Sequence, residues 1–337
     1  MKTFSLENLP RILWALAMLT LPVTSFRWFP GLGESTLVRP LALYPLAILL
    51  PLLLVLAWRK KISLVIPGAF LALGAFVLFA IFSASIGSLL NPIPLRGQTF
   101  DARAIRALIT LVIGIAFFVS AVWMNKDESD LRFTVTWIFA GLCLNLAWSG
   151  LQAVTFYTKL LDKEMVTHWQ LAFSMRELVR TNRISGLAYE PAWLAGQLAT
   201  VFFPFLFASV LTNFRLTPRR WLEPALLALS TLVLLATYSR GGLLITVGVT
   251  GLVTLLFGRD VLRSMWNWFI SGFRSRITDF VLRLAIIFAI LGVIAGAFVF
   301  LGQRNFFSRM WESNAENLSE YLVDINAGAR GAYTVAA

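Results

Sequence analysis

Arg176-Glu-Leu-Val-Arg180-Thr-Asn-Arg183-Ile-Ser-Gly186-Leu-Ala-Tyr189-Glu190-Pro191-Ala-Trp193 decides how the rest of the chain is read. It is a run of charge and turn residues between segments that are almost wholly apolar. Arg176, Arg180 and Arg183 are spaced i, i+4 and i+7, so a helix through them would carry all three on one face. Gly186 and the Glu190-Pro191 pair end such a helix just before the next apolar run. What this stretch does depends on where it lies relative to those runs.

Outward from it, the composition excludes an ordinary soluble domain: 58% of the 337 residues are hydrophobic and 14% are charged, and the mean hydropathy is +0.77. The net charge is nevertheless +12, and arginine supplies most of it. In an apolar chain that excess points to cytoplasmic loops and anionic lipid as partner, and away from nucleic acid. One cysteine, Cys143, excludes an intrachain disulfide, and one histidine, His168, argues against a histidine-built metal centre. Lys2 and Arg11 precede the first apolar run as in a signal peptide, but no small-residue cleavage site follows, so this run reads as an anchor.

A membrane-crossing helix needs roughly 20 apolar residues. The hydropathy pattern predicts an all-α integral membrane protein with about nine transmembrane helices: 12–26, 38–58, 63–90, 104–124, 133–157, 190–212, 221–239, 241–257 and 280–302. Pro67 predicts a kink or tilt in the third. Residues 1–302 thus form a multi-span domain, and 303–337 begin a large external loop in a chain that reads as C-terminally truncated. Arg59-Lys60-Lys61, Arg215 with Arg219 and Arg220, and Arg259 with Arg263, Arg274 and Arg276 fall on one side, which positive-inside bias makes cytoplasmic. The N-terminus is then cytoplasmic. Segment 261–279, with Trp266 and Trp268 among arginines, reads as an interfacial helix.

The outer loops then include 27–37, 91–103, 158–189 and the turn at 238–242. They and their span boundaries hold many arginines but only Lys159 and Lys163 as lysines. Arginine binds an oxyanion through a bidentate fork where lysine offers a point charge, so this bias points to phosphate recognition. For Arg27, Arg39, Arg103 and Arg106 the alternative is anchoring of span ends at headgroups. In the tail, Glu312, Glu316, Glu320 and Asp324 recur every fourth residue, as a solvated helix face or a wall opposite the arginines.

Two patterns combine at the outer face: Arg183-Ile-Ser-Gly186-Leu-Ala-Tyr189-Glu190-Pro191, entering the sixth span, and Thr237-Tyr-Ser239-Arg240-Gly241-Gly242, after the seventh. In this order, behind a long outer loop, they resemble the bacterial O-antigen ligase and O-antigen polymerase superfamily of membrane glycosyltransferases. Arg330-Gly331-Ala-Tyr333 looks like the stretch leading into that family's next half. The resemblance implies a GT-C-like helical fold in the bacterial cytoplasmic membrane, with the active face periplasmic or extracellular. It also implies transfer of a glycan from undecaprenyl pyrophosphate to an acceptor, either another glycan repeat or a lipid A core sugar. On that carry-over Arg183, Arg240 and Arg330 meet the donor pyrophosphate, with Arg176 and Arg180 in support. The family's proposed acceptor-activating histidine has no counterpart here, because His168 lies in a different loop.

The chemistry fits these residues independently. A pyrophosphate leaving group gains charge as its bond to the anomeric carbon breaks, so preorganised arginines act in the transition state. The sequence holds no Asp-x-Asp, which favours a site needing neither metal nor other cofactor. Glu190 fits a general base or an orienting carboxylate, or equally a helix N-terminal acid before Pro191. A transporter of polysaccharide or lipid-linked glycan is the competing reading; it calls for an internal repeat and charged residues at mid-span.

Overall fold

A computed structural model of the chain describes residues 8–28, 39–62, 64–90, 98–158, 160–178, 182–212, 216, 219, 221–259 and single positions between 263 and 292. The described residues are helical apart from turns and two isolated bridges. The helices are α1 (Leu9–Thr20), α2 (Leu43–Trp58), α3 (Ala69–Leu89), α4 (Phe100–Met124), α5 (Glu128–Ala153), α6 (Lys163–Phe173), α7 (Pro191–Gln197), α8 (Phe203–Thr212), α9 (Leu222–Ala236) and α10 (Arg240–Phe257). A π-helical turn, Val154–Thr158, extends α5, and another, Leu198–Phe202, joins α7 to α8.

Four of these helical runs are long and apolar enough to cross a membrane: Ala69–Leu89, Phe100–Met124, Glu128–Thr158 and Pro191–Leu211. Four shorter apolar helices accompany them, Leu9–Thr20, Leu43–Trp58, Leu222–Ala236 and Gly241–Leu256. Local chemistry sets several starts. Thr99, Asp127, Asp162 and Ser239 each stand at an N-cap and accept a backbone N–H from the first turn. Pro67 does not kink the third span: α3 begins only at Ala69, after Gly68, so the proline precedes the helix, where its missing N–H is harmless. The interfacial helix and ninth span expected over 261–302 lie mostly outside the described residues, and the acidic series at 312–324 lies wholly outside them.

The chain divides into two compact units, one of residues 1–178 and 186–189, the other of 179–185 and 190 onward. In the first, α1 and α5 run parallel. Arg11 lies 3.8 Å from Asp130, Trp14 donates from Nε1 to Thr134 Oγ1 at 2.8 Å, and Gly141 meets the Leu19 carbonyl so closely that a Cβ would lie 2.7 Å from its oxygen. α3 and α4 form an antiparallel hairpin, since Trp123 donates to the Val65 carbonyl at one end and Ser88 to Asp101 at the other. At the end of this unit reached by the C-terminus of α1, residues 23–28 pair with 39–41 and with 171–175. Phe26 N–H donates to Arg39 O, Arg27 N–H to Phe173 O and Met175 N–H to Ser25 O, each at 2.9 Å.

In the second unit α10 runs beside the α7–α8 helix in the same direction. Gly242, in the first turn of α10, abuts Ala195 so closely that a Cβ would collide with it. α10 then continues along the π turn to α8. α9 lies antiparallel to α10, joined to it by a tight reversal at 237–239.

Candidate functional site

The chain enters this site through an irregular segment, 182–185, and not through a helix. The shared helical face expected for Arg176, Arg180 and Arg183 is therefore not formed: residues 174–178 and 182–185 are non-helical, and Asn182 takes φ 54°. An Asn tolerates that left-handed conformation better than most residues, because its amide can bond locally.

Arg183 lies along the end of α9. Its Nε donates to Thr237 O at 2.8 Å and its Nη2 to Tyr238 O at 3.3 Å, while Ile184 N–H donates to Ala236 O at 3.1 Å. The last carbonyls of a helix lack intrahelical donors and carry its negative end, so a guanidinium there is favoured twice over. The same turn then reverses into α10. Thr237 is fully buried and gives its hydroxyl to Leu234 O. Tyr238 adopts φ 50°, a costly left-handed conformation for a bulky side chain. Ser239 caps α10 by accepting the Gly242 N–H at 3.2 Å. Arg240 is the first residue of α10. Gly241 beside it faces open space.

Glu190 stands at the N-cap of α7, half-buried, and its backbone carbonyl accepts from Trp193 and Leu194 N–H at 3.0 Å each. Because Ala195 meets Gly242, the starts of α7 and α10 share one end of the second unit with the finish of α9. Arg183, Arg240 and Glu190 are thus brought to one end by the fold. Two helix N-termini lie there, and the first N–H groups of each lack intrahelical partners, an arrangement suited to an anion.

Arg176 belongs to the first unit, where its guanidinium lies 4.7 Å from the ring centroid of Tyr189. Arg180 and Arg330 lie outside the described residues. His168 is exposed on α6. Arg27 and Arg39 act as bolts: Arg27 Nη1 donates to Leu171 O at 2.9 Å, and buried Arg39 donates to Arg27 O at 3.2 Å.

The sequence reading missed a polar network that holds the other half of the decisive stretch. Asn145, Ser149 and Gln152 line one face of α5 and are buried to 1% exposure or less. Gln152 accepts the Gly186 N–H at 2.9 Å and donates to Gly186 O at 3.2 Å and to Gln170 Oε1 at 2.8 Å. Asn145 Oδ1 accepts from Leu187 N–H at 2.9 Å, and Gln170 donates to Arg176 O at 2.9 Å. Gly186 has φ 56°, and a Cβ there would strike Asn145. The signal was present as polar residues at i, i+4 and i+7 within an otherwise apolar span.

Comparisons with protein-family models, with curated proteins and with solved structures find no match to this chain. The fold and the site define the class: an all-helical protein with several helices long and apolar enough to cross a membrane, and with arginine-bearing turns at helix ends.

Proposed function

We propose that this protein is a nine-span, GT-C-like glycosyltransferase that moves a glycan from undecaprenyl pyrophosphate to an acceptor sugar at the outer face of the bacterial cytoplasmic membrane, as an O-antigen or exopolysaccharide polymerase or an O-antigen ligase. The observation that carries this reading is the seating of Arg183 on the Thr237-Tyr238 turn, two residues before Arg240 at the start of α10. The two motifs thereby meet beside the start of α10, where the free N–H groups and the helix dipole favour a pyrophosphate. Hydrogen bonds to the 237 and 238 carbonyls fix Arg183 in advance, and a preorganised donor stabilises a leaving group better than a mobile one. Glu190, at the same end, is the candidate base for the acceptor hydroxyl.

The distribution of charge favours this over a transporter. Within the described apolar helices every charged residue falls in the first two turns: Arg11 in α1, Asp101, Arg103 and Arg106 in α4, Glu128, Asp130 and Arg132 in α5, Glu223 in α9 and Arg240 in α10. A transport path calls for charge deeper in the bundle.

Arg240→Ala is the decisive variant, because Arg183 also caps α9. In cells that depend on this protein, Arg240→Ala is expected to reach the membrane at normal levels while glycan ladders are lost. Near-normal ladders would falsify the pyrophosphate assignment. Accumulation of single repeats marks a polymerase, and full-length unattached glycan marks a ligase.

A further inference from the structure

We infer that the α3–α4 hairpin holds a specific anionic phospholipid, with one acyl chain in the groove between the helices and the phosphate on Arg103. The hairpin is pinned at both ends and open between them. Ser88 donates to Asp101 at 2.6 Å, with Gly87 against Phe100; at the other end the Phe70 ring meets Phe118 at a tilt, ring centroids 5.6 Å apart. Between these pins lies a cavity of about 570 Å³, walled by Phe76, Phe79 and Leu111 and floored by Ala80 and Ala107. That volume falls within the roughly 300–1,000 Å³ of ligand clefts. From Arg103 to Leu111 the groove follows α4 for about 12 Å at 1.5 Å per residue, close to the ~15 Å of one leaflet, half of a ~30 Å hydrocarbon core.

Charge stands at one end only. Arg103 lines the groove in the first turns of α4, and its Nε is buried without a hydrogen-bond partner. Its guanidinium lies 5.9 Å from the Phe100 ring centroid. Among the described residues, the other charges at that end are engaged: Asp101 accepts from Ser88, and Arg106 donates to Gln98 at 3.0 Å. A buried guanidinium donor without an acceptor is costly, and a phosphate oxygen is the acceptor an adjoining headgroup layer supplies. No described residue of α3 is buried, and its exposed side chains are apolar, so in a membrane its outer face would meet hydrocarbon. A chain from that hydrocarbon, with its own phosphate at the interface, matches both the depth and the polarity of the groove. This inference rests on the hairpin's crossing a membrane, and not on glycan transfer.

The test is photo-crosslinking in vesicles of phosphatidylcholine carrying equal small fractions of acyl-diazirine phosphatidylglycerol or acyl-diazirine phosphatidylcholine. Phosphatidylglycerol is expected to label α3 and α4 peptides about fivefold more, the preference one basic residue confers at an anionic headgroup. Arg103→Gln should abolish that excess, and Ala107→Trp should remove groove labelling by both lipids while labelling of other spans persists. Ala80→Phe serves as a second filling variant if Ala107→Trp is poorly folded. Equal labelling by the two lipids, or an excess unchanged in Arg103→Gln, overturns the proposal. So does displacement of the label by an equimolar polyprenyl phosphate, which assigns the groove to a carrier lipid instead.

Discussion

At the scale of single residues, two positions in the decisive stretch carry most of its geometry. Gly186 joins the buried amides of α5 because it has no Cβ and takes φ 56°. Gly186→Ala adds the strain of a left-handed alanine, about 1–3 kcal/mol, to a collision with Asn145. The expected outcome is a marked fall in thermal stability in detergent, and a variant as stable as the parent contradicts the arrangement. Arg183 has a structural duty that its motif does not announce. Its charge-assisted bonds to the α9 terminus are worth about 1.5–3 kcal/mol, so Arg183→Ala should lower stability as well as activity. Arg240→Ala should affect activity alone. Chemical unfolding of both variants separates the two duties.

At the scale of elements, the start of α10 gives a paired experiment. Gly241 faces open space, so Gly241→Ala should leave folding intact, while Gly242→Ala forces α10 away from Ala195 and should destabilise the unit. Equal stability of the two variants refutes the close crossing of α7 and α10. The start of α5 gives another. Hydrogen bonding from the Asp130 backbone N–H, then from the Ser129 hydroxyl, holds the Asp127 carboxyl below the usual carboxylate range. A depressed value in the folded protein means the cap contributes above the ordinary carboxylate range and is lost as pH falls through the lowered one. Carboxyl carbon resonances should therefore place the Asp127 midpoint below that of a model peptide, and Asp127→Asn should keep the helix start but lose its acid sensitivity. A midpoint at or above the peptide value contradicts the bonded cap.

At the scale of the whole chain, the topology expected from charge predicts which loops face outward. If α1 and α5 both cross a membrane, their parallel pairing calls for an odd number of crossings between them, which α2, α3 and α4 would supply. Residues 27 and 28 bond to 171–173: Arg27 N–H donates to Phe173 O and Trp28 Nε1 to Ala172 O, which sets both segments at one end of the first unit. In a Cys143→Ser background, Glu164→Cys should react with an impermeant maleimide from outside intact cells, and Lys61→Cys only after the membrane is opened. Labelling of both from one side removes the proposed topology.

The sequence alone determined the class of elements and their approximate limits. Apolar runs near the length of a bilayer stand out in any register, whereas the caps Thr99, Asp127 and Ser239 emerged only from the structure. The sequence also singled out Arg183, Arg240 and Glu190, because charge at the edge of an apolar run is conspicuous. Only the tertiary structure decided that residues 182–185 are non-helical, that Arg183 lies on the 237–238 carbonyls, and that Asn145, Ser149 and Gln152 receive Gly186. Those outcomes rest on backbone groups far apart in the chain finding partners, and a backbone carbonyl has no residue letter by which a sequence could show it.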